Sequence, residues 1–173
     1  MIIGKPFLTA EQIHEKVIEL ADRISRDYAG KEILAVGILK GSFMFFADLV
    51  RSLKIPVVID FIVASSYLKT TSTGEVKIHY EIKEDIAGKH VLLIDDIIDT
   101  GISLNYIRER LLLKEPESLK ICILLDKKER RSVDVPIDYK GFEIPNQFVV
   151  GYGLDYDNKY RNLPYIAIFK KER

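Results

Sequence analysis

Val91-Leu92-Leu93-Ile94-Asp95-Asp96-Ile97-Ile98-Asp99-Thr100-Gly101-Ile102-Ser103-Leu104 is the most informative stretch of the chain. Val91–Ile94 is short, apolar on every position and rich in branched residues, which predicts a strand buried on both faces. Two adjacent acids close that strand. A third acid follows three residues later, then Thr-Gly-x-Ser, and a helical pattern runs from Ser103 to Leu113. Strand, acidic turn and helix in this order predict a ligand site at the carboxyl end of a parallel sheet.

The physics of the turn is that of a phosphate cradle. Thr100, Gly101 and Ser103 stand where strand passes into helix, so their backbone N–H groups lack helical partners and can face an anion. The helix dipole adds its positive end, two hydroxyls add donors, and Gly101 allows close approach or a positive φ. Carboxylates beside a phosphate need other partners. Sugar hydroxyls and a hydrated Mg²⁺ carried by the substrate both suit Asp95 and Asp96. The spacing Asp95-Asp96-Ile97-Ile98-Asp99 also matches the DDxxD pattern of prenyl-diphosphate enzymes. That pattern requires one helix face, and the strand before it and Gly101 after it exclude that context.

Working outward, Ile33–Leu39, Val57–Ala64 and Leu119–Leu125 repeat the buried-strand pattern, and Phe43–Leu53 reads as a helix. Thr9-Ala10-Glu11-Gln12 has capping-box spacing ahead of Ile13, Val17, Leu20, Ala21 and Ile24, and Gly30 is placed to end that helix. The alternation predicts an α/β, doubly wound, mostly parallel sheet flanked by helices. Val76–Ile82 alternates apolar and polar residues, as a half-exposed antiparallel strand does. Lys69–Gly74 before it reads as a loop, either mobile or simply a solvated connection. Phe148–Phe169 reads as two strands around a polar turn at Asp155–Arg161.

The bulk composition is neutral on partners. The 173 residues are 47% hydrophobic and 30% charged with a formal net charge of zero. One domain spanning 1–173 is expected, without a nucleic-acid or membrane partner, and with cytosolic placement. The single cysteine, Cys122, lies in an apolar run and reads as a buried strand residue, with a reactive thiol as the alternative. His14, His79 and His90 are scattered, which argues against a zinc site. Lys40-Gly41-Ser42 closes the first buried strand with a cation, a glycine and a hydroxyl at a helix start. Taken alone it is a weak second anion site. Asp126–Arg131 reads as a charged, largely solvated run.

The Asp95–Ser103 segment resembles the phosphoribosyl pyrophosphate-binding motif of type I phosphoribosyltransferases, and most of all its hypoxanthine-guanine branch. The resemblance runs from about Ile33 to Phe169 with its motifs in family order. It implies a small hood and a mobile flap on the sheet, and Mg²⁺ as cofactor. Asp95 and Asp96 would face the ribose hydroxyls and Mg²⁺, and Asp99 would be the general base near the purine N7. Asp99, Thr100, Gly101, Ile102 and Ser103 would hold the 5-phosphate. Lys40 and Gly41, with a cis peptide before the lysine, would bind pyrophosphate together with Arg161. Ser65-Ser66-Tyr67 would open the flap. Lys127 would donate to the oxygen at purine position 6, Phe148 would stack on the ring, and the Val149 backbone would bond its edge. Asp155 would lie near the base and a second Mg²⁺.

Two positions depart from the family pattern. Asp95 stands where many members have Glu, and Ile102 where some carry Lys, so one cation for the phosphate is missing. The implied activity is salvage of hypoxanthine and guanine with release of pyrophosphate, by a homodimer or homotetramer acting on small molecules. A regulator that senses phosphoribosyl pyrophosphate without catalysis would need a basic face or would lack the purine residues, and neither holds here.

Overall fold

The computed structural model describes residues 2–67 and 75–170. The chain runs β1 (Ile2–Leu8), α1 (Ala10–Asp27), β2 (Ile33–Leu39), α2 (Phe43–Ser52), β3 (Val57–Tyr67), β4 (Glu75–Tyr80), β5 (His90–Ile98), α3 (Ile102–Leu112), β6 (Ser118–Asp126), β7 (Tyr139–Glu143), β8 (Val149–Val150) and β9 (Ile166–Lys170). A single 3-10 turn, Lys128–Arg130, follows β6. The doubly wound sheet expected from the sequence is present, in the order β4-β3-β2-β5-β6-β7. It is parallel throughout except for the edge strand β4, which runs antiparallel to β3.

The apolar runs lack period-2 alternation because both faces are covered. Ala35, Leu92, Ile94, Cys122 and Leu124 pack into the core beneath α1 and α2. Their strand neighbours Leu34, Val36, Val91, Leu93, Ile121 and Ile123 pack into a second core on the α3 side. Cys122 is fully buried, and that burial pushes its thiol far above the ordinary range, so it is a core residue. At the start of α1, Thr9 Oγ1 accepts from Gln12 N–H at 3.2 Å while Thr9 N–H donates to Gln12 Oε1 at 2.9 Å, which completes the capping box.

Two findings alter the sequence reading. β5 does not end at the acids but continues to Ile98, because Asp95, Ile97 and Ile98 keep pairing with Ile123, Leu125 and Asp126 of β6. Ser65, Ser66 and Tyr67 are strand residues of a β3–β4 hairpin, opposite Lys77, Val76 and Glu75, and not the opening of a loop. The loop expected over 69–74 lies outside the described residues. A separate three-stranded antiparallel sheet, β1-β9-β8, forms the hood and carries the segment from Phe148 onward. Among the described residues no helix is long and apolar enough to cross a membrane.

The chain leaves β2 toward β3 on one side and returns to β5 on the other, so the strand order reverses between β2 and β5. Ligands of open α/β sheets bind at such a crevice, beyond the carboxyl ends of the strands. Lys40 and Asp95–Ser103 both leave the sheet there.

Candidate active site

A cavity of about 480 Å³ opens at this crevice. Its walls bring together Lys40 and Gly41 after β2, Ser65 and Ser66 of β3, and Asp95, Asp96, Asp99 and Ser103 from β5 and α3. Lys127 after β6, and Phe148, Val149, Asp155 and Arg161 from the hood, complete the lining. An adjoining cavity of about 270 Å³ is walled by Thr100, Gly101 and Ser103 at the start of α3, with Asp95, Asp99 and Ser66 on its rim. Ile102 lines neither cavity; it is exposed on the outer side of the first turn.

The start of α3 has the backbone form expected of the Thr-Gly-x-Ser turn. Gly101 occupies the N-cap position with φ 87°, and no side chain caps the helix. A side chain there would also be blocked, since a Cβ would stand 2.7 Å from the Val133 carbonyl oxygen. Ile102 N–H donates to Thr100 Oγ1 at 3.4 Å, and Thr100, Gly101 and Ser103 line the smaller cavity. The Lys40 loop is similarly tight, and the Leu39–Lys40 peptide is cis, as the resemblance implies. Ser42, however, is no anion donor: its buried hydroxyl donates back to the Ile38 carbonyl at 2.6 Å.

Asp96 is buried and Asp95 partly so. Removal from water, and then the neighbouring Asp96 carboxylate, push the Asp95 carboxyl well above the usual range. Burial raises Asp96 as well, against opposing hydrogen bonds and the Arg161 charge. Arg161 donates through Nη1 to the Gly153 carbonyl at 2.7 Å and pairs with Asp155 at 3.2 Å. Arg161 thus pairs with Asp155 while its charge also acts on Asp96. Among the described residues no three carboxylate, imidazole or thiolate groups stand together as a metal-binding cluster, so Asp155 does not join Asp95 and Asp96 in one three-ligand set.

One end of the larger cavity is built from the residues after β6 and from the hood. The pairing Ile98↔Asp126 sets the residues after β5 and β6 side by side, and Lys127 N–H donates to the Ile98 carbonyl at 3.0 Å. The Lys127 side chain is buried, and that burial lowers its pKa, partly countered by the Asp99 charge. Phe148 is not a core residue of a strand: it precedes β8, is 51% exposed, and rests edge-on against Tyr156 and Phe169. Its ring is therefore left open to solvent on the cavity wall.

The charged run Asp126–Arg131 is less solvated than its composition suggested. Asp126 is buried and ion-paired with Arg131, whose Nε donates to the Asp99 carbonyl at 3.2 Å. Arg130, in the same run, stands 2.7 Å from Asp99 Oδ1. No pattern in the sequence distinguishes these two arginines from surface cations.

Comparison with known proteins agrees with this geometry. A family model described as a phosphoribosyl transferase domain matches residues 7–157. The hypoxanthine phosphoribosyltransferase of Salmonella typhimurium is 51% identical over 159 residues, covering 90% of this chain and 89% of that protein. The hypoxanthine-guanine phosphoribosyltransferase of Streptococcus pneumoniae is 46% identical over 171 residues, covering 98% and 95%. The crystal structure of a hypoxanthine-guanine phosphoribosyltransferase from Bacillus anthracis, with HEPES in its active site, superposes with a TM-score of 0.94. It is 49% identical and covers 98% of this chain and 100% of that one.

Proposed function

The chain belongs to the phosphoribosyltransferase family, and from that premise we propose that it transfers the 5-phosphoribosyl group of phosphoribosyl pyrophosphate to N9 of hypoxanthine and of guanine. The products are IMP or GMP and pyrophosphate, and the role is purine salvage. The observation that carries the base assignment is a buried cation, Lys127, lining the same cavity as the exposed Phe148 ring, with Ser103 of α3 shared between that cavity and the smaller one beside it.

In this reading the 5-phosphate sits against the N–H groups of Thr100–Ser103, and pyrophosphate lies between Lys40, Gly41 and Arg161. The purine stacks on Phe148, its edge bonds to the Val149 backbone, and Lys127 donates to the oxygen at position 6. Adenine places an amino group there and leaves the buried ammonium unpaired, so rejection is strong. As the C1–O bond to pyrophosphate breaks, N9 forms the new bond to C1 and the N7 proton passes to the Asp99 carboxylate. The Ser65–Tyr67 end of the β3–β4 hairpin lies over this reaction centre as the base of the flap. Water would otherwise compete for the cationic sugar carbon.

The residues also suit Mg²⁺. Asp95 and Asp96 offer oxygen donors only; burial raises both carboxyls, the Asp96 charge raises Asp95 further, and a dication would favour their charged forms. Mg²⁺ commonly takes one or two carboxylates and completes its shell with substrate phosphates and water. Asp155, which among the described residues forms no three-ligand cluster with Asp95 and Asp96, would meet a second ion separately. Bound metal would neutralise the charge of the leaving pyrophosphate. A homodimer or homotetramer belongs to the same reading.

Incubation of the protein with phosphoribosyl pyrophosphate, Mg²⁺ and hypoxanthine, followed by chromatography of the products, tests the proposal. IMP and pyrophosphate in equal amounts, absent when a chelator is added, are the expected result. Release of ribose 5-phosphate without any nucleotide would contradict it.

A further inference from the structure

The stretch Asp99-Thr100-Gly101-Ile102-Ser103 contains an acid and no base. A phosphate dianion seated at the start of α3 would therefore meet carboxylates, Asp95 and Asp99, on the rim of its own cavity. Backbone N–H groups and a helix dipole offset only part of that repulsion. Among the residues walling this cavity there is one cation, Arg130. It comes from the turn after β6 and not from the phosphate loop.

Arg130 is positioned by the 3-10 turn Lys128–Arg130, whose N-cap is Lys127. Residues three apart in such a turn project on one side. Lys127 and Arg130 accordingly bracket Asp99, Lys127 in the larger cavity and Arg130 in the smaller. Arg130 Nε stands 2.7 Å from Asp99 Oδ1, yet that buried oxygen has no aligned hydrogen-bond donor. The Arg130 side chain is 46% exposed and has no other hydrogen-bond or ion-pair partner among the described residues. Its contact with Asp99 is a charge contact of poor directionality, and a phosphate can accept the guanidinium fork with better geometry.

We propose that Arg130 is a 5-phosphate-binding residue, which exchanges its contact with Asp99 for the incoming phosphate. The exchange supplies the positive charge that the phosphate loop lacks, and it releases the Asp99 carboxylate toward the purine as the sugar phosphate arrives. This rests on the reading of Thr100–Ser103 as the 5-phosphate site.

The test compares the affinity of IMP with that of inosine, which lacks only the phosphate, for the wild-type protein and for Arg130→Gln, Arg130→Lys and the double variant Arg130→Gln/Ile102→Lys. The expected result is an IMP dissociation constant raised about 10- to 100-fold in Arg130→Gln, with inosine unchanged. Arg130→Lys should fall between the two, and the double variant should recover part of the loss, because Lys at position 102 returns a cation to the first turn of α3. IMP binding unchanged in Arg130→Gln, or IMP and inosine weakened equally, would overturn the role of Arg130. A wild-type protein binding IMP no more tightly than inosine would instead remove the phosphate site itself, and the proposal with it.

Discussion

Gly41 abuts the Asp96 carboxylate so closely that a Cβ on Gly41 would stand 2.2 Å from Asp96 Oδ2. On the other side, a Cβ on Gly153 (φ 98°) would stand 2.1 Å from the Gly41 carbonyl oxygen. The loop after β2, strand β5 and the loop after β8 thus meet through backbone and one carboxylate, with no side chain between them. Gly41→Ala is expected to displace Asp96 and raise KM for phosphoribosyl pyrophosphate. Gly153→Ala adds a left-handed backbone strain and should lower stability by about 1–3 kcal/mol. Thermal melts and steady-state kinetics on both variants check this, with the larger melting shift expected in Gly153→Ala.

Asp99→Asn keeps the shape of the side chain and removes its ability to take a proton. Turnover should fall by roughly 10²- to 10⁴-fold, with KM for hypoxanthine little changed. Full turnover in this variant would remove Asp99 from the role of base.

Burial lowers the Lys127 pKa, Asp99 opposes that shift and Arg130 adds to it. Lys127 donates to the purine oxygen as the ammonium, so binding is complete at low pH and is lost as pH rises through the lowered pKa. KM for hypoxanthine should accordingly rise before the pH at which an ordinary lysine titrates, ~10.4. Lys127→Ala should flatten that rise and reduce the preference for hypoxanthine over adenine. A pH series of KM on both proteins measures it.

Asp60, buried in β3, accepts from the N–H groups of Phe61, Lys83 and Glu84 at 2.7, 2.7 and 3.0 Å. Burial raises its pKa, but these bonds and the Lys83 charge outweigh that and hold it below the ordinary range. With the folded-state pKa depressed, the stabilisation is present above the unfolded value of ~3.9 and is lost as pH falls through the folded value. Asp60→Ala should cost about 1–3 kcal/mol at neutral pH, and progressively less as pH falls through the depressed folded-state value. Denaturant titrations across this pH range compare wild type and variant.

Local signals are legible in the amino-acid sequence. Thr9 and Gln12 form the capping box because both halves lie within one turn, and β2, β5 and β6 follow from apolar runs that both cores bury. The hood was harder. β1 is interrupted by Gly4 and Pro6 and is held by β9, more than 150 residues away, so nothing near it marks a strand. β7 has the same difficulty, being short and defined by its pairing with β6. Within the site, Lys127, Phe148 and Arg161 were located by motif order. Arg130 and Arg131 were not, because their partners Asp99 and Asp126 distinguish them only after β5 and β6 pair. Phe148 shows the limit of hydropathy: an apolar ring is as a rule buried, whereas this one is left half-exposed on the cavity wall.

The most direct test of the account is a parallel assay with phosphoribosyl pyrophosphate and Mg²⁺, offering hypoxanthine, guanine, xanthine, adenine and orotate to the wild-type protein. Turnover of hypoxanthine and guanine, with none of adenine or orotate, is the predicted result. Turnover of adenine or orotate, or none of any base despite tight binding of phosphoribosyl pyrophosphate, would contradict it.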